Sequence, residues 1–396
     1  MKRIGTMRFM SLTAGLLVLA TCLATPGLKP EETWPPHAAL KGRSSPVAAN
    51  GKNSDAVDAI FAPLKSADAP GAAVLVKKAG TVVFERGYGV SDLRTRHKID
   101  ERTNFRLASC TKQFTATAIM LLVQDGKLHY EDRLTDIFPD FPEYGKAITM
   151  RNLLNHTSGL LDYEDLMPQS DPNVQVEKIQ IHDDGVLNWL KQQKMTKFVP
   201  GTHWEYSNSA YVVLGLVVAK VSGKPFDEFL HQRIFAPLQM TNTVAYIRGK
   251  NAVTNRAYGH SQTSAGWEQT DQSPTSATLG DGGVYSSLTD LSKWDDALQQ
   301  HTLLSAKDME PAITSVKVPD NSVRGPDGSP AEYGFGWFLN PYKQHPRMWH
   351  YGETMGFRSN IQRFTEDGLT IIVLCNRADL DPGSVGVKAA DLYLAP

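Results

Sequence analysis

Residues 109–122 read SCTKQFTATAIMLL, a short polar start followed by an apolar run. The apolar positions have helical spacing through Leu122, and the pattern stops at Asp125-Gly126. Ser109 and Lys112 are therefore predicted to lie one turn apart on the same helix face. This spacing places an amine beside a hydroxyl.

A serine hydroxyl attacks a carbonyl only if a neighbouring group takes its proton as the bond forms. Lys112 can do so if burial or positive charge, including that of the helix start, lowers its pKa from the usual value of about 10.4. The Ser-x-x-Lys pattern alone is weak, because about one or two copies are expected by chance. Alone, it is better explained by an N-capping Ser109 and a solvated Lys112.

A second element, Tyr206-Ser207-Asn208, follows Pro200-Gly201 and precedes the apolar helix predicted for 208–221. A phenol beside a lysine ammonium loses its proton more easily and could itself be the base, so either Lys112 or Tyr206 could take the proton. The Asn208 amide can hydrogen-bond a substrate carbonyl and hold Lys112. The structural alternative is a polar loop in which Ser207 or Asn208 caps the following helix.

A third element, His350-Tyr351-Gly352, ends a strand-like run that begins at Arg347. Gly352 is expected to let a ligand approach the backbone. His350 is expected to supply a proton or a positive field near the leaving group. The backbone NH groups of Ser109 and Glu353 are predicted to form the oxyanion hole for a tetrahedral intermediate.

Strand and helix patterns divide the chain into an α/β part at about 54–110 and 280–390 and a mainly helical part at about 111–279. The predicted strands are Ala72–Val76, Thr81–Arg86, Tyr333–Leu339, Arg347–His350, Phe357–Phe364 and Leu369–Cys375. Further helices are predicted near 149–155, 184–194 and 225–235. Strands at both ends with helices between them predict an α+β fold, in which one antiparallel sheet is built from the two termini and a helical region is inserted.

The N-terminus carries three basic residues, an apolar stretch from Phe9 to Ala20, and a small-x-small site at Cys22-Leu23-Ala24. This is typical of a signal peptide over residues 1–24, which predicts a periplasmic or secreted protein with a flexible linker over 25–53. Lipoprotein anchoring through Cys22 is the competing interpretation, and Thr21 fits it poorly. Nothing later approaches the length of about 20 apolar residues that a membrane span needs.

The composition is that of a globular protein, with 396 residues, 41% hydrophobic and 21% charged. Removing Lys2, Arg3 and Arg8 with the signal changes the formal charge from −1 to −4, which gives no support for nucleic-acid binding. Cleavage after Ala24 leaves Cys110 and Cys375. An exported protein could pair them, but two small buried hydrophobic residues are the simpler interpretation.

These motifs resemble the penicillin-recognising serine hydrolases, which include class C β-lactamases, D-Ala-D-Ala carboxypeptidases, D-aminopeptidases and β-lactamase-like esterases. The resemblance extends over about 54–385. It includes three further segments, which are Asn104–Ala108, Leu153–Leu160 (LLNHTSGL) and Gly280–Ser287 (GDGGVYSS). It implies a β-lactamase/transpeptidase-like fold and no cofactor or metal.

The resemblance also implies roles for individual residues. Ser109 would be the acylated nucleophile, Lys112 and Tyr206 the proton-transfer pair, and Asn208 a substrate contact, while His350 stands where many members carry lysine. β-Lactamases usually have Lys-Thr-Gly at the third element, so His350 and Tyr351 favour the carboxypeptidase, D-aminopeptidase or esterase branches. Glu353 stands where small residues are common and is expected to narrow the pocket or repel an anionic substrate.

The expected function is an exported serine hydrolase that acts through an acyl-enzyme on an amide or ester. Its partner would be a small molecule or a peptide, including a cell-wall peptide. An α/β-hydrolase is disfavoured because the chain lacks Gly-x-Ser-x-Gly, and a metallohydrolase because it lacks His-Glu-x-x-His. A non-catalytic peptidoglycan-binding protein on the same scaffold remains the alternative. The substrate and the oligomeric state are left open.

Overall fold

The computed structural model describes residues 51–168 and 178–395. The predictions for the signal peptide and most of the linker lie outside these residues. Helix α1 spans Gly51–Phe61 and so begins slightly before the predicted start of the fold at Ser54.

Eleven α-helices are found in the described part of the chain. They are α1, α2 (Lys112–Gln124), α3 (Leu134–Ile137), α4 (Met150–Leu154), α5 (Tyr163–Leu166), α6 (Asp183–Lys191), α7 (Asn208–Ser222), α8 (Phe226–Leu230), α9 (Leu288–Gln300), α10 (Ala306–Met309) and α11 (Pro382–Ala390). A π-helical turn, His231–Phe235, follows α8. No single described helix has the length and apolar character of a membrane span, although α7 and the segment Phe226–Phe235 meet those criteria as one pair bent by 78°.

The main sheet has five antiparallel strands in the order β10-β11-β12-β1-β2. The twelve strands of the described residues are β1 (Ala72–Lys78), β2 (Thr81–Tyr88), β3 (Val90–Asp92), β4 (His97–Lys98), β5 (Phe105–Arg106), β6 (Val244–Ala245), β7 (His260–Thr263), β8 (Gly266–Gln269), β9 (Val284–Ser286), β10 (Arg347–Thr354), β11 (Phe357–Phe364) and β12 (Leu369–Cys375). The prediction of one antiparallel sheet made from both ends of the chain is confirmed.

Both faces of this sheet are covered, which explains the nearly continuous apolar run in β12. Its Ile372 and Leu374 join the large core around α2 and α7, whereas Ile371 and Val373 join the core under α1 and α11. Alternate side chains of a strand point to opposite faces, so a strand between two cores is apolar on both of its faces.

One strand prediction, Tyr333–Leu339, is wrong. This segment makes only isolated bridges, from Tyr333 to Phe338 and from Phe338 to Trp349 on β10. Gly336 adopts a φ of +77°, which interrupts an extended chain. The segment is therefore a tight turn against β10.

A buried ion cluster fixes α9 to the sheet. Lys77 on β1 lies 2.6 Å from Asp296 and 3.2 Å from Asp295, and it donates a hydrogen bond to the Ser292 carbonyl at 2.9 Å. Arg363 on β11 donates to Asp295 at 2.8 Å. Removing one member of such a cluster leaves an uncompensated buried charge.

We expect Asp295→Ala to lower the free energy of unfolding by about 3–5 kcal/mol, because it leaves the buried Arg363 without a carboxylate partner and removes one of the two carboxylates beside Lys77. Lys343→Ala, which removes an exposed ion pair with Asp391, is the control and should cause no measurable change. Urea denaturation followed by circular dichroism measures both. Equal, small effects would contradict the role of the cluster.

Candidate active site

The predicted nucleophile lies at the mouth of a cleft. Ser109 is partly exposed on a 3-10 turn, Ala108–Thr111, that leads directly into α2. Lys112, the first residue of α2, is fully buried. Its Nζ contacts three oxygens, Asn208 Oδ1 at 2.8 Å, Ser109 Oγ at 3.1 Å and the Asp281 carbonyl at 3.1 Å. The amine is thus held by three separate segments of the chain.

Burial lowers the pKa of Lys112 to about 8, although Asp281, Asp162 and Glu164 act in the opposite direction. A neutral amine has two N–H donors and one lone pair. The carbonyl of Asp281 and the amide oxygen of Asn208 can take the two donors, which leaves the lone pair for the hydroxyl proton of Ser109. The geometry suits Lys112 as the general base.

Tyr206 is partly buried beside this amine, and its hydroxyl oxygen is shielded from solvent. Lys112 Nζ lies 4.8 Å from the centroid of its ring, and the ring packs against that of His156 at 4.4 Å. The phenolic oxygen has no hydrogen-bond partner among the described residues. Burial raises the pKa of Tyr206 well above 10, and Ser109 acts in the lowering direction. A protonated phenol can donate a proton to a leaving group, but it cannot be the resting base.

The loop that carries Ser207 and Asn208 both caps the following helix and holds Lys112. Ser207 caps α7, since its hydroxyl accepts a hydrogen bond from the Ala210 N–H at 3.1 Å. Asn208 holds Lys112 through its oxygen and donates to Glu164 at 3.2 Å through its nitrogen. Its contact with substrate stays a prediction.

The structure does not place His350 as the sequence suggested. The imidazole is fully buried, and burial, with the nearby Lys112, lowers its pKa to about 3. Its two nitrogens contact the Tyr333 hydroxyl at 3.2 Å and the Tyr351 carbonyl at 2.6 Å. Because the imidazole is neutral and both of its nitrogens are hydrogen-bonded, it supplies neither a positive field nor a proton at neutral pH. The prediction that His350 supplies one of these near the leaving group is therefore corrected.

Gly352 has a packing role that the sequence did not indicate. A Cβ there would lie 2.0 Å from the Leu107 carbonyl oxygen and 2.3 Å from Ser359 Oγ. Glycine is therefore needed so that β10 can pack against the segment that carries Ser109, and the approach of a ligand to its backbone stays a prediction. Ser359 closes this contact by donating to the Leu107 carbonyl at 2.7 Å.

Tyr351 and Glu353 lie on the outward face of β10. Tyr351 is partly buried, and Glu353 is exposed and lies 2.8 Å from Arg358 on β11. This ion pair offsets the negative charge that was expected to repel anionic substrates. Ser109 and Glu353 both line the cleft, so the oxyanion hole built from their NH groups stays a prediction.

Next to Ser109, Cys110 is fully buried, and burial raises the pKa of its thiol to about 12. Cys375 is buried too, and the two thiols are not paired. This agrees with the interpretation of both as small core residues.

The cleft has a volume of about 390 Å³ and two acidic groups that sequence reasoning missed, Asp281 and Glu164. Asp281 accepts from the Tyr163 hydroxyl at 3.0 Å through Oδ2, but its buried Oδ1 has no hydrogen-bond partner within the described residues. Burial, then Asp162 and Asp281, raises the pKa of Glu164. Asp281 lies inside the quoted motif GDGGVYSS and could have been singled out, whereas Glu164 carries no sequence signal.

Comparison with known proteins gives a consistent result. A family model described as Beta-lactamase matches residues 57–394. Penicillin-binding protein 4* of Bacillus subtilis strain 168 is 31% identical over 334 residues, which cover 81% of this chain and 71% of that protein. The D-aminopeptidase of Brucella canis is 27% identical over 78% of this chain, which spans only 56% of that enzyme's length.

A solved structure, the D-amino acid amidase of Ochrobactrum anthropi SV3 complexed with L-phenylalanine amide, matches with a TM-score of 0.72. It is 27% identical, and the match covers 86% of this chain and 97% of the amidase. The octameric penicillin-binding protein homologue of Pyrococcus abyssi matches with a TM-score of 0.71 at 25% identity, over 86% of this chain and 76% of that one.

We expect kcat/KM for an uncharged ester to rise with pH, with a midpoint near 8, because Lys112 must lose its proton to act as base. Asp281→Asn should move this midpoint to lower pH, since it removes a negative charge that raises the pKa of Lys112. Steady-state kinetics over pH 5–10 measure both.

The control for this shift is Asp140→Asn, which alters a surface carboxylate paired with Lys191. It should leave the midpoint unchanged. A midpoint that Asp281→Asn does not move would contradict Lys112 as the titrating base.

Proposed function

Because the chain belongs to the β-lactamase family and is a serine hydrolase of that family, we propose that it hydrolyses the amide bond of D-amino acid amides or short D-aminoacyl peptides. The substrate carries a free ammonium group. The D configuration follows the names of two relatives, the D-aminopeptidase and the D-amino acid amidase. The free ammonium group of the proposed substrate follows from the acidic groups that line the cleft.

The observation that carries the proposal is the unpaired carboxylate oxygen of Asp281. A buried acceptor without a donor costs about 1–3 kcal/mol, and more when it is charged. A substrate ammonium bound in the cleft would donate to this oxygen and lie near Glu164. Burial is the main reason for the raised pKa of Glu164, and the negative charges of Asp162 and Asp281 raise it further, while Lys112 acts in the opposite direction.

The proposed reaction uses Ser109, Lys112 and Tyr206. Neutral Lys112 takes the proton of Ser109 as its Oγ bonds to the carbonyl carbon, and the carbonyl oxygen becomes an oxyanion. As the C–N bond breaks, protonated Tyr206 donates to the leaving nitrogen and is reprotonated by the Lys112 ammonium. Water then attacks the acyl carbon as Lys112 takes its proton; the C–Oγ bond breaks, the carboxylic acid leaves, and Lys112 returns the proton to Ser109 Oγ.

A carboxypeptidase that acts on substrates with a terminal carboxylate is the second candidate. Arg106 lines the cleft, and its buried Nη1 has no hydrogen-bond partner among the described residues. Its other nitrogens donate to the carbonyls of Gly282 and Ser276. This unused donor favours an anionic group, as in a penicillin or a D-Ala-D-Ala peptide.

Export to the periplasm or medium is part of the proposal and is supported by the N-terminal basic and apolar pattern of residues 1–24. Fractionation of cells that produce the full-length chain, with mass spectrometry of the mature N-terminus, tests it. An uncleaved chain in the cytoplasm would overturn it.

Ser109→Ala should abolish turnover and covalent labelling by a serine-directed fluorophosphonate without unfolding the protein, since a partly exposed hydroxyl contributes little to the core. Intact-mass spectrometry and thermal unfolding measure these outcomes. Turnover that survives in this variant would refute the nucleophile. Absence of any turnover or label in the folded wild type would favour the non-catalytic peptidoglycan-binding alternative.

The substrate class is tested with D-phenylalanine p-nitroanilide and its N-acetyl derivative. We expect the wild type to prefer the free amine by about 10- to 100-fold in kcat/KM, as a charge-assisted hydrogen bond of roughly 1.5–3 kcal/mol implies. Asp281→Asn should reduce this ratio toward one. The ratio cancels any change in the pKa of Lys112, because one enzyme acts on both substrates.

Asp140→Asn again serves as the matched control and should leave the ratio unchanged. A wild type that prefers the N-acetyl substrate would contradict the proposal. Stable labelling by a fluorescent penicillin together with such a preference would favour the carboxypeptidase.

A further inference from the structure

Four hydrogen bonds join five groups in a continuous line behind the cleft. The Ser207 backbone N–H donates to His156 Nδ1 at 3.1 Å, and His156 Nε2 lies 3.1 Å from the Tyr333 hydroxyl. The same hydroxyl lies 3.2 Å from His350 Nε2. The line ends where His350 Nδ1 meets the Tyr351 carbonyl at 2.6 Å.

The two ends of the line fix every proton in it. A backbone N–H can only donate, so Nδ1 of His156 is an acceptor and its proton is on Nε2. A carbonyl can only accept, so His350 carries its proton on Nδ1 and accepts at Nε2. Tyr333 therefore accepts from His156 and donates to His350.

This arrangement requires both imidazoles to be neutral, and their surroundings favour that state. Each is fully buried, and burial lowers the pKa of both, with a further lowering from the nearby Lys112. The carboxylates around the cleft act mainly on Lys112 and do not appear among the groups that shift either imidazole. Two neutral rings therefore lie beside the lysine amine.

The line joins the two walls of the cleft. At one end, Ser207 is flanked by Tyr206 and Asn208, and the Tyr206 ring packs directly on His156. At the other end, His350 and Tyr351 belong to β10, which continues to Gly352 and Glu353. Within residues 51–168 and 178–395, Tyr333 is the one side chain that hydrogen-bonds to both histidines.

Tyr333 is itself held rigidly. It is fully buried and packs edge-on against Phe338, whose backbone exchanges two hydrogen bonds of 2.9 Å with Trp349 on β10. A Cβ on the adjacent Gly334 would lie 2.0 Å from the Ala312 carbonyl oxygen. These contacts restrict the movement of the Tyr333 hydroxyl, so it cannot adjust its position if His156 or His350 moves.

We propose that Tyr333 is a positioning residue of the hydrolytic reaction. Its two hydrogen bonds set the separation between the loop that carries Tyr206 and the strand predicted to carry one oxyanion donor, and they fix the tautomers of His156 and His350. The inference rests on the serine-hydrolase chemistry of the site and is independent of the substrate class proposed above. It also gives a role to His156, the histidine of the LLNHTSGL segment.

The first test is kinetic and uses Tyr333→Phe with an activated ester. We expect kcat to fall by about 10-fold or more with KM within about 2-fold, because a misplaced donor affects the transition state more than substrate binding. The matched control is Tyr144→Phe, which removes a partly buried hydroxyl that donates to the Leu190 carbonyl away from the cleft. It should leave both constants unchanged. An unchanged kcat in folded Tyr333→Phe would overturn the proposal.

A second variant distinguishes positioning from simple loss of packing. His156→Gln keeps an acceptor and a donor on its amide, whereas His156→Leu keeps neither. We expect the glutamine variant to retain several-fold more kcat than the leucine variant. An equal loss of kcat in both variants would show that the shape of the His156 ring matters and its hydrogen bonds do not, which would contradict the proposal.

The third test needs no substrate. Long-range ¹⁵N–¹H spectra of histidine-labelled wild type should show one ring protonated on Nε2 and one on Nδ1, both neutral down to pH 5. In Tyr333→Phe these two signals should shift or broaden. A His350 ring protonated on Nε2 would overturn the proposal, even if the proposed amide substrate proves wrong.

Discussion

The site depends on one buried amine. Lys112 has no access to water, and its three oxygen partners come from the turn before α2, from the first residue of α7 and from the loop before β9. A buried lysine without such partners would be strongly destabilising. The same constraint that makes the amine a competent base therefore also fixes how three distant parts of the chain come together.

The fold was largely predictable because its sheet is covered on both faces. Leu369–Cys375 carries a nearly continuous apolar run, and a short turn separates it from the preceding strand, so β11 and β12 were predicted at their observed bounds. The segment Tyr333–Leu339 was predicted wrongly, because its aromatic residues lie in a turn that packs against β10 and not in a strand. Local propensity does not reveal which partner a short aromatic segment packs against.

The sequence predicted which motif residues lie close together, but it did not predict which of the surrounding groups are charged. The motifs brought Ser109, Lys112, Tyr206 and Asn208 together, since each lies at the start of a helix or in a loop leading to one. The ionisation of His350 depends on its burial and on the nearby Lys112. Its hydrogen bond to Tyr333 is part of no sequence motif. Likewise, the lack of a hydrogen-bond partner at Asp281 Oδ1 among the described residues depends on the three-dimensional surroundings of this side chain, which the sequence does not give.

Cys110 adjoins the nucleophile in sequence, yet its sulfur points into the protein, within 3.5 Å of Ser359 Oγ. Its thiolate form is suppressed, and soft electrophiles such as maleimides or iodoacetamide require a thiolate that they can reach. Cys375 is shielded in the same way. A cysteine introduced anywhere on the described surface would therefore be modified without competition from these two thiols, which makes this scaffold suitable for site-directed dyes beside a working hydrolase cleft.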